Sequence, residues 1–382
     1  MDLSLRHLTD RILAAAADGT PLRIRGGGSK DFYGQTLQGE VLDLRPHTGI
    51  TSYEPTELVV TVRAGTPLAE LEEALAKRGQ CLAFEPPRFA GGGVPTCGGM
   101  VAAGLSGPAR ASVGAVRDFV LGVSLINGRG EALTFGGQVM KNVAGYDVSR
   151  LMAGALGTLG VLTEISLKVL PVAPAEATLM CAGLDQQQAL DLLNRWGGQP
   201  LPLSASCWVR DDTASPVRDF LFVRLRGAIA AVQAAGPRLI ADMQALGGEV
   251  RVMDNVDAGA DWTACRDQTL PFFNCPDPEL GLWRLSLPQT APALPLPYAQ
   301  FVEWHGGQRW LWAPESAGHA LRLAAAQVGG SASLFIAPTL DYTGASTRFE
   351  PLKPPLDGIH QRLKAEFDPA GIFNRARLYP DF

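Results

Sequence analysis

Residues 24–34 read IRGGGSKDFYG, residues 95–118 read PTCGGMVAAGLSGPARASVGAVRD and residues 154–163 read GALGTLGVLT. A short β-rich run at 22–25 leads into Gly26-Gly27-Gly28-Ser29-Lys30. Consecutive residues without Cβ turn their N–H groups toward one point and admit a bulky anion, with the Ser29 hydroxyl as a further donor. That makes a nest for phosphate or pyrophosphate. Taken alone, the stretch reads equally well as a flexible glycine-rich turn. It is neither a G-x-x-x-x-G-K-[ST] loop nor a G-x-G-x-x-G fingerprint, so a nucleotide site here has to be built another way. In the second stretch, Gly98-Gly99 open a small-residue segment (101–104) where a flat ligand can lie against the backbone, with Arg110 and Arg117 nearby. The third is too small and flexible for an ordinary core helix. Each one singly fits tight packing; three within one glycine-dense region do not.

Working outward, residues 1–13 form an amphipathic helix with Leu5, Leu8, Ile12 and Leu13 on one face, and 41–44 and 58–63 read as strands. The best-signposted helix has Thr66 as N-cap, Pro67 at its first position, a Leu68, Leu71, Leu75 stripe and Gly79 past its end. Strands at 119–126 and 132–135 flank Asn127-Gly128-Arg129-Gly130, a hairpin signal. Asp147 caps a short helix, and 161–170 is β-rich. The 43 glycines concentrate before Pro171-Val172-Ala173-Pro174, which marks a boundary. Beyond it, helices are expected at 184–196 and 237–246 and strands at 220–223 and 282–287, followed by a last helix at 358–367.

The 382 residues are 46% hydrophobic and 19% charged, enough apolar material for two to three domains with real cores. A net charge of −5 without a long basic run argues against nucleic acid as a partner. The cysteines (Cys81, Cys97, Cys181, Cys207, Cys265 and Cys275) form no C-x-x-C, which excludes an iron–sulfur or structural zinc site within this chain and fits a reducing compartment. Charged residues interrupt any signal-peptide core at the start, and the two long uncharged stretches, 285–302 and 323–340, are broken by prolines or glycines, so no membrane span is expected.

The succession IRGGGSKDFYG (24–34), ELVVTVRAGTPLAELEEALAKRGQ (57–80), FEPP (84–87), GLSGPAR (104–110), VGAVRDFVLG (113–122), KNVAGYDVSRLMAGALGTLGVLTEISLKVLP (141–171) and FDPAGIFN (367–374) resembles the vanillyl-alcohol-oxidase, or PCMH-type, FAD-binding flavoproteins. Among them it is similar to the family of E subunits of bacterial glycolate oxidase. The resemblance fills residues 20–171 and returns at 355–382; between them only LWRLS (282–286) and EWHGGQRWL (303–311) are familiar. It implies an α+β fold: a PCMH-type FAD-binding domain of two α+β subdomains over 1–172, a smaller α+β cap domain over 173–354, and a C-terminal return at 355–382. Carried over by motif, Gly26, Gly27, Gly28 and Ser29 match the pyrophosphate loop, with a positive φ considered at Gly27. Thr96, Gly98 and Gly99 match a second flavin-contacting turn, and Gly104, Gly107 and Gly114 the stretch beside the ring and ribityl chain. Gly160 and Val161 match the segment meeting the adenine or ribityl side, and Asn374 a C-terminal residue that returns to the ring.

The departures from the family pattern also carry expectations. Residues 22–35 contain no His or Cys to tether a flavin, and Cys97 occupies an apolar slot, so FAD is expected to bind non-covalently. The His-rich metal-binding segment of hydroxy-acid-oxidising relatives is missing, so no metal site is expected. The five histidines are isolated, and each is read as a surface or structural residue. Arg284 and Arg309 are substrate-side candidates, as carboxylate clamps or structural salt bridges, with His305 beside them. The resemblance further implies a glycolate dehydrogenase acting on small 2-hydroxy acids to give 2-oxo acids such as glyoxylate. It implies a partner D subunit with its own FAD and the substrate site, an iron–sulfur F subunit, an acceptor other than oxygen, and a cytoplasmic place at the inner membrane held through partners. A stand-alone FAD dehydrogenase of a hydroxy acid or lactone, and an assembly subunit with a structural FAD, stay open as alternatives.

Overall fold

The computed structural model describes residues 3–89, 92–137, 146–211, 215–339 and 347–380; the start of the KNVAG stretch, 141–145, lies outside them. The chain divides into two units, one of residues 1–106, 114–172 and 347–382, the other of 107–113 and 173–346.

The first unit is built on an antiparallel sheet in the order Ile50–Glu54, Val59–Arg63, Val161–Lys168, Val120–Ile126, Ala132–Gly136. Val60, Val62, Ile165, Leu167, Val123 and Leu125 are buried in one core cluster. The helix Leu68–Ala76 adds Leu68, Leu71 and Leu75, the stripe expected from their spacing. Its start differs from expectation. Pro67 is the cap residue, and the Thr66 hydroxyl turns away to accept from the Gly49 N–H at 2.9 Å. The first helix, Leu3–Asp18, buries Leu8, Ile12 and Ala15, while Leu13 is exposed, because the apolar arc is narrower than the four leucine and isoleucine positions suggested. The hairpin at 127–130 forms as its sequence predicts. Asn127 Oδ1 accepts from the N–H groups of Arg129 and Glu131 and so closes the turn.

Beside this sheet, Leu22–Arg25 pairs in parallel with Glu40–Asp43. Its other edge is bound by the chain end, since Leu22 N–H donates to the Ile372 carbonyl (2.7 Å) and Asn374 N–H to the Leu22 carbonyl (2.9 Å). The return to this unit begins at 347, earlier than the expected 355. The Phe349 ring packs edge-on against Tyr33 (5.5 Å), and Arg348 donates to the Phe32 carbonyl.

Among the described residues the second unit carries an eight-stranded antiparallel sheet. Its order is Glu249–Val252, Ala175–Ala182, Arg218–Gly227, Leu203–Asp211, Gln300–Glu303, Gln308–Pro314, Leu280–Ser286, Ser331–Ile336. The helices Gln186–Gly197 and Ile229–Gln244 bury Leu190, Leu193, Trp196, Val232, Leu239 and Met243 against one of its faces. The first begins at a reciprocal cap, with Asp185 accepting from Gln188 N–H and the Gln188 side chain accepting from Asp185 N–H. The second runs eight residues ahead of Pro237, which was expected to open it. Burial of Val232 and Ala235 at helical spacing outweighs the break that proline introduces.

Candidate functional site

In the first unit, the strand Leu22–Arg25 ends in a cleft lined by Gly26, Gly27, Gly28, Ser29, Thr96, Gly98, Gly99, Gly160 and Asn374. These are nine of the thirteen positions taken from motif. They come from four separate segments, which only the folded chain brings together.

The loop after the strand is the anion-binding part. Among the described residues the backbone N–H groups of Gly26, Gly27, Gly28 and Ser29 donate to no protein acceptor. A row of unspent donors beside a cleft is the feature a pyrophosphate requires. Gly28 has φ +82, so the left-handed residue of the loop is Gly28 and not Gly27. Gly27 is needed for close approach instead, because a Cβ there would run into the Val94 carbonyl. Arg25, Lys30 and Arg377 also line the cleft. Asp31 accepts from both Arg23 (2.7 Å) and Arg25 (2.8 Å), which leaves the cluster with a cationic balance. Arg377 is buried and donates to the carbonyls of Gln35 and Asp31; burial pulls its guanidinium down to about 10. Its signal is absent from local sequence, because its partners lie some 340 residues earlier in the chain.

The second turn works differently from the first. Cys97 N–H donates to the Thr66 carbonyl, Gly98 N–H to Ala64 and Gly99 N–H to Thr96 Oγ1, so these donors are spent inside the protein. Thr96, Gly98 and Gly99 therefore present a flat wall. Cys97 is fully buried in the core, and burial pushes its thiol well above the ordinary range, which leaves no thiolate to attach to a ring.

Asn374 closes the cleft from the chain end. Its Oδ1 accepts from Ile24 N–H at 2.8 Å and its Nδ2 donates to the Leu156 carbonyl at 2.6 Å, tying the first strand to the 154–160 turn. Four motif positions do not line the cleft. Gly104 is the left-handed cap of the helix Cys97–Ala103 and packs on Gly154; Gly114 turns the chain above Asp118; Gly107 belongs to the second unit; and the Val161 side chain is wholly buried in the core.

The substrate-side candidates lie in the second unit. Arg309 is completely buried and donates to the carbonyls of Pro292 (2.7 Å), Ala291 (2.7 Å) and Gly306 (3.4 Å). It ties a loop to a strand and is not a carboxylate clamp. Arg284 is half-buried, with its guanidinium over the Phe335 ring at 5.7 Å. A cavity of about 650 Å³ in this unit is walled by Phe220, Phe222, Trp262, Phe301 and Trp312. Its lining cation, Arg210, is held by Asp219 at 2.8 Å. Among the described residues no group of three or more His, Cys, Asp or Glu is placed to hold a metal, and no helix is long and apolar enough to cross a membrane.

His305 is buried with its backbone at φ +56. Ser206 Oγ accepts its backbone N–H (3.1 Å) and lies 2.9 Å from Nδ1, while Nε2 faces Ser112 Oγ at 3.1 Å. Burial holds the imidazole down to about 4 from the ordinary 6.5. The unfolded chain therefore takes up this proton at higher pH than the folded one. The stability owed to neutral His305 is complete above 6.5 and is lost as pH falls through 4. Nearby Glu303, its carboxyl raised by burial, acts in the opposite sense. The test is thus a difference. Denaturation of H305Q should show a weaker pH dependence across this window than the unaltered chain, by about 3 kcal/mol end to end. Equal dependence in the two would contradict the assignment.

The chain matches the FAD binding domain family over residues 4–136. It is 45% identical to the glycolate oxidase subunit GlcE of Escherichia coli K12 over 374 residues, 98% of this chain and 97% of that protein. The chain belongs to the GlcE family of glycolate oxidase subunits. It is also 31% identical to the glycolate oxidase subunit GlcD of Bacillus subtilis, over 42% of this chain and 34% of that one. A D-lactate dehydrogenase of Archaeoglobus fulgidus is 31% identical over 40% of this chain and 33% of its own length. A solved structure of alkyldihydroxyacetonephosphate synthase superposes with a TM-score of 0.68 at 14% identity, covering 97% of this chain and 75% of that one, which shows a shared fold. This GlcE-family chain is an FAD-dependent oxidoreductase with the α+β PCMH-type fold. FAD supplies two-electron redox chemistry; the protein supplies the unspent N–H row, the cationic cluster and the flat wall, which suit a dinucleotide with a planar ring.

Proposed function

We propose that this chain is the E-type FAD subunit of a multi-subunit glycolate oxidase. The assembly oxidises glycolate and related 2-hydroxy acids to 2-oxo acids such as glyoxylate and passes the electrons to an acceptor other than oxygen. The observation that carries the proposal is the 45% identity to GlcE along nearly the whole of both chains. In this reading a D-type subunit holds the hydroxy-acid site and an F-type subunit the iron–sulfur centres, at the cytoplasmic face of the inner membrane. The flavin of this chain is non-covalent and serves as an accessory or relay centre. Two features support the division of labour. The cavity of the second unit is mostly apolar and its lining cation is already paired, whereas a small carboxylate calls for an available one. Arg309 and His305 are spent on internal partners. Purification of the chain with and without its neighbouring subunits, followed by flavin and iron analysis, tests the assembly. One acid-releasable FAD per chain in both preparations, with iron only in the one that contains the neighbouring subunits, is expected. A chain that recruits no partner while oxidising glycolate by itself would overturn it.

A further inference from the structure

Next to the cleft-lining segments lies a buried ion pair, of which Asp368 falls within the FDPAGIFN stretch and Lys364 in no motif. Lys364 and Asp368 sit one turn apart at the end of the helix Leu356–Phe367, both buried, with Nζ 2.7 Å from Oδ2. Nζ also donates to the Thr158 carbonyl (2.8 Å) and the Phe373 carbonyl (2.8 Å), so all three of its protons are used. Asp368 accepts in turn from the N–H groups of Ile372 (3.1 Å) and Phe373 (2.8 Å). Thr158 lies between Gly157 and Gly160, and Phe373 precedes Asn374; Gly157, Gly160 and Asn374 all line the cleft. One ammonium group therefore joins the two segments that Asn374 also bridges.

We propose that Lys364 and Asp368 are positioning residues of the FAD cleft, fixing the spacing between the 156–160 turn and the chain end so that Asn374 meets both Ile24 and Leu156. The inference rests on the assignment of FAD to this cleft. Val60, Ile165 and Leu125 of the sheet are buried in a large apolar cluster of which the segments next to the pair, through Leu159, Ile372 and Phe373, form only one part, so the sheet is expected to outlast loss of the pair. Without the ammonium, the Thr158 and Phe373 carbonyls lose their shared donor and the turn is free to move relative to residues 372–374. Removing one member of a buried pair also strands the other, so Lys364→Met is the severe variant and Asp368→Asn the mild one. Asn retains one oxygen, enough for one of the two backbone N–H groups that Oδ1 and Oδ2 of Asp368 accept separately.

The test is FAD titration of the full-length apo chain, with visible circular dichroism of the bound flavin and hydrogen exchange across strands 120–126 and 161–168. The unaltered chain must bind FAD; if it does not, the cofactor assignment fails before the pair is in question. In both variants the dissociation constant should rise at least tenfold and the flavin dichroism should change, with strand protection preserved. Should Lys364→Met not accumulate folded, Asp368→Asn carries the same comparison. A variant with lower thermal stability but unchanged FAD affinity and dichroism would overturn the proposal, because a purely structural pair behaves that way.

Discussion

Gly27→Val is expected to give a folded chain that no longer retains FAD. The added side chain meets the Val94 carbonyl, backbone that has no rotamer by which to retreat, so either the 92–94 strip or the 26–29 loop must shift. The N–H groups of residues 26–29, which have no protein acceptor among the described residues, are then displaced from their places beside the cleft. Losing two charge-assisted hydrogen bonds at about 1.5–3 kcal/mol each weakens binding by roughly two to four orders of magnitude. Tryptophan provides the control, because all seven (Trp196, Trp208, Trp262, Trp283, Trp304, Trp310 and Trp312) lie in the second unit. Their emission should report an intact second unit in the variant. FAD affinity unchanged within a factor of three would show that the loop is only a turn.

The second large effect concerns catalysis. The isolated chain, fully loaded with FAD, is expected not to oxidise glycolate at a measurable rate with an artificial acceptor, and the activity should depend on the D-type partner. Oxidation of a hydroxy acid needs a base within hydrogen-bond reach of the hydroxyl proton and a cation for the carboxylate. In the second unit Arg309 is committed to three carbonyls, Arg210 to Asp219, and His305 is enclosed by Ser112 and Ser206. An imidazole held down to about 4 is also a weak base at neutral pH.

The first unit was largely legible in the sequence because its information is local. The leucine stripe at 68–75 and the Asn127 turn act within a few residues of themselves, and the glycines at 26–28 and 98–99 are conspicuous as clusters although their close contacts, Val94, Thr96 and Ala64, lie elsewhere in the chain. Gly104, Gly114 and Val161, which do not line the cleft, owe part of their character to packing within the chain. A motif marks residues that need to be small or apolar without saying whether a ligand or a neighbouring segment demands it. Gly104 is small because Gly154 packs on it. Arg377 was missed because its partners, at 30–35, lie hundreds of residues away, and the role of Lys364 because, although Asp368 is only four residues on, its bond to Thr158 spans 206 residues. The second unit was least legible for the same reason. The strand Leu203–Asp211 pairs on one side with Gln300–Glu303, almost a hundred residues later, and no local period announces that partnership. Pro237 was misread because tertiary burial overrode a local signal.

The most direct test is stopped-flow reduction of this chain's own flavin by glycolate, first in the isolated FAD-loaded chain and then in the assembled complex. The 450 nm band is predicted to stay unbleached in the isolated chain and to bleach only when the D-type subunit is present. Rapid bleaching of the isolated chain would contradict the account, because the chain would then hold a complete hydroxy-acid site of its own.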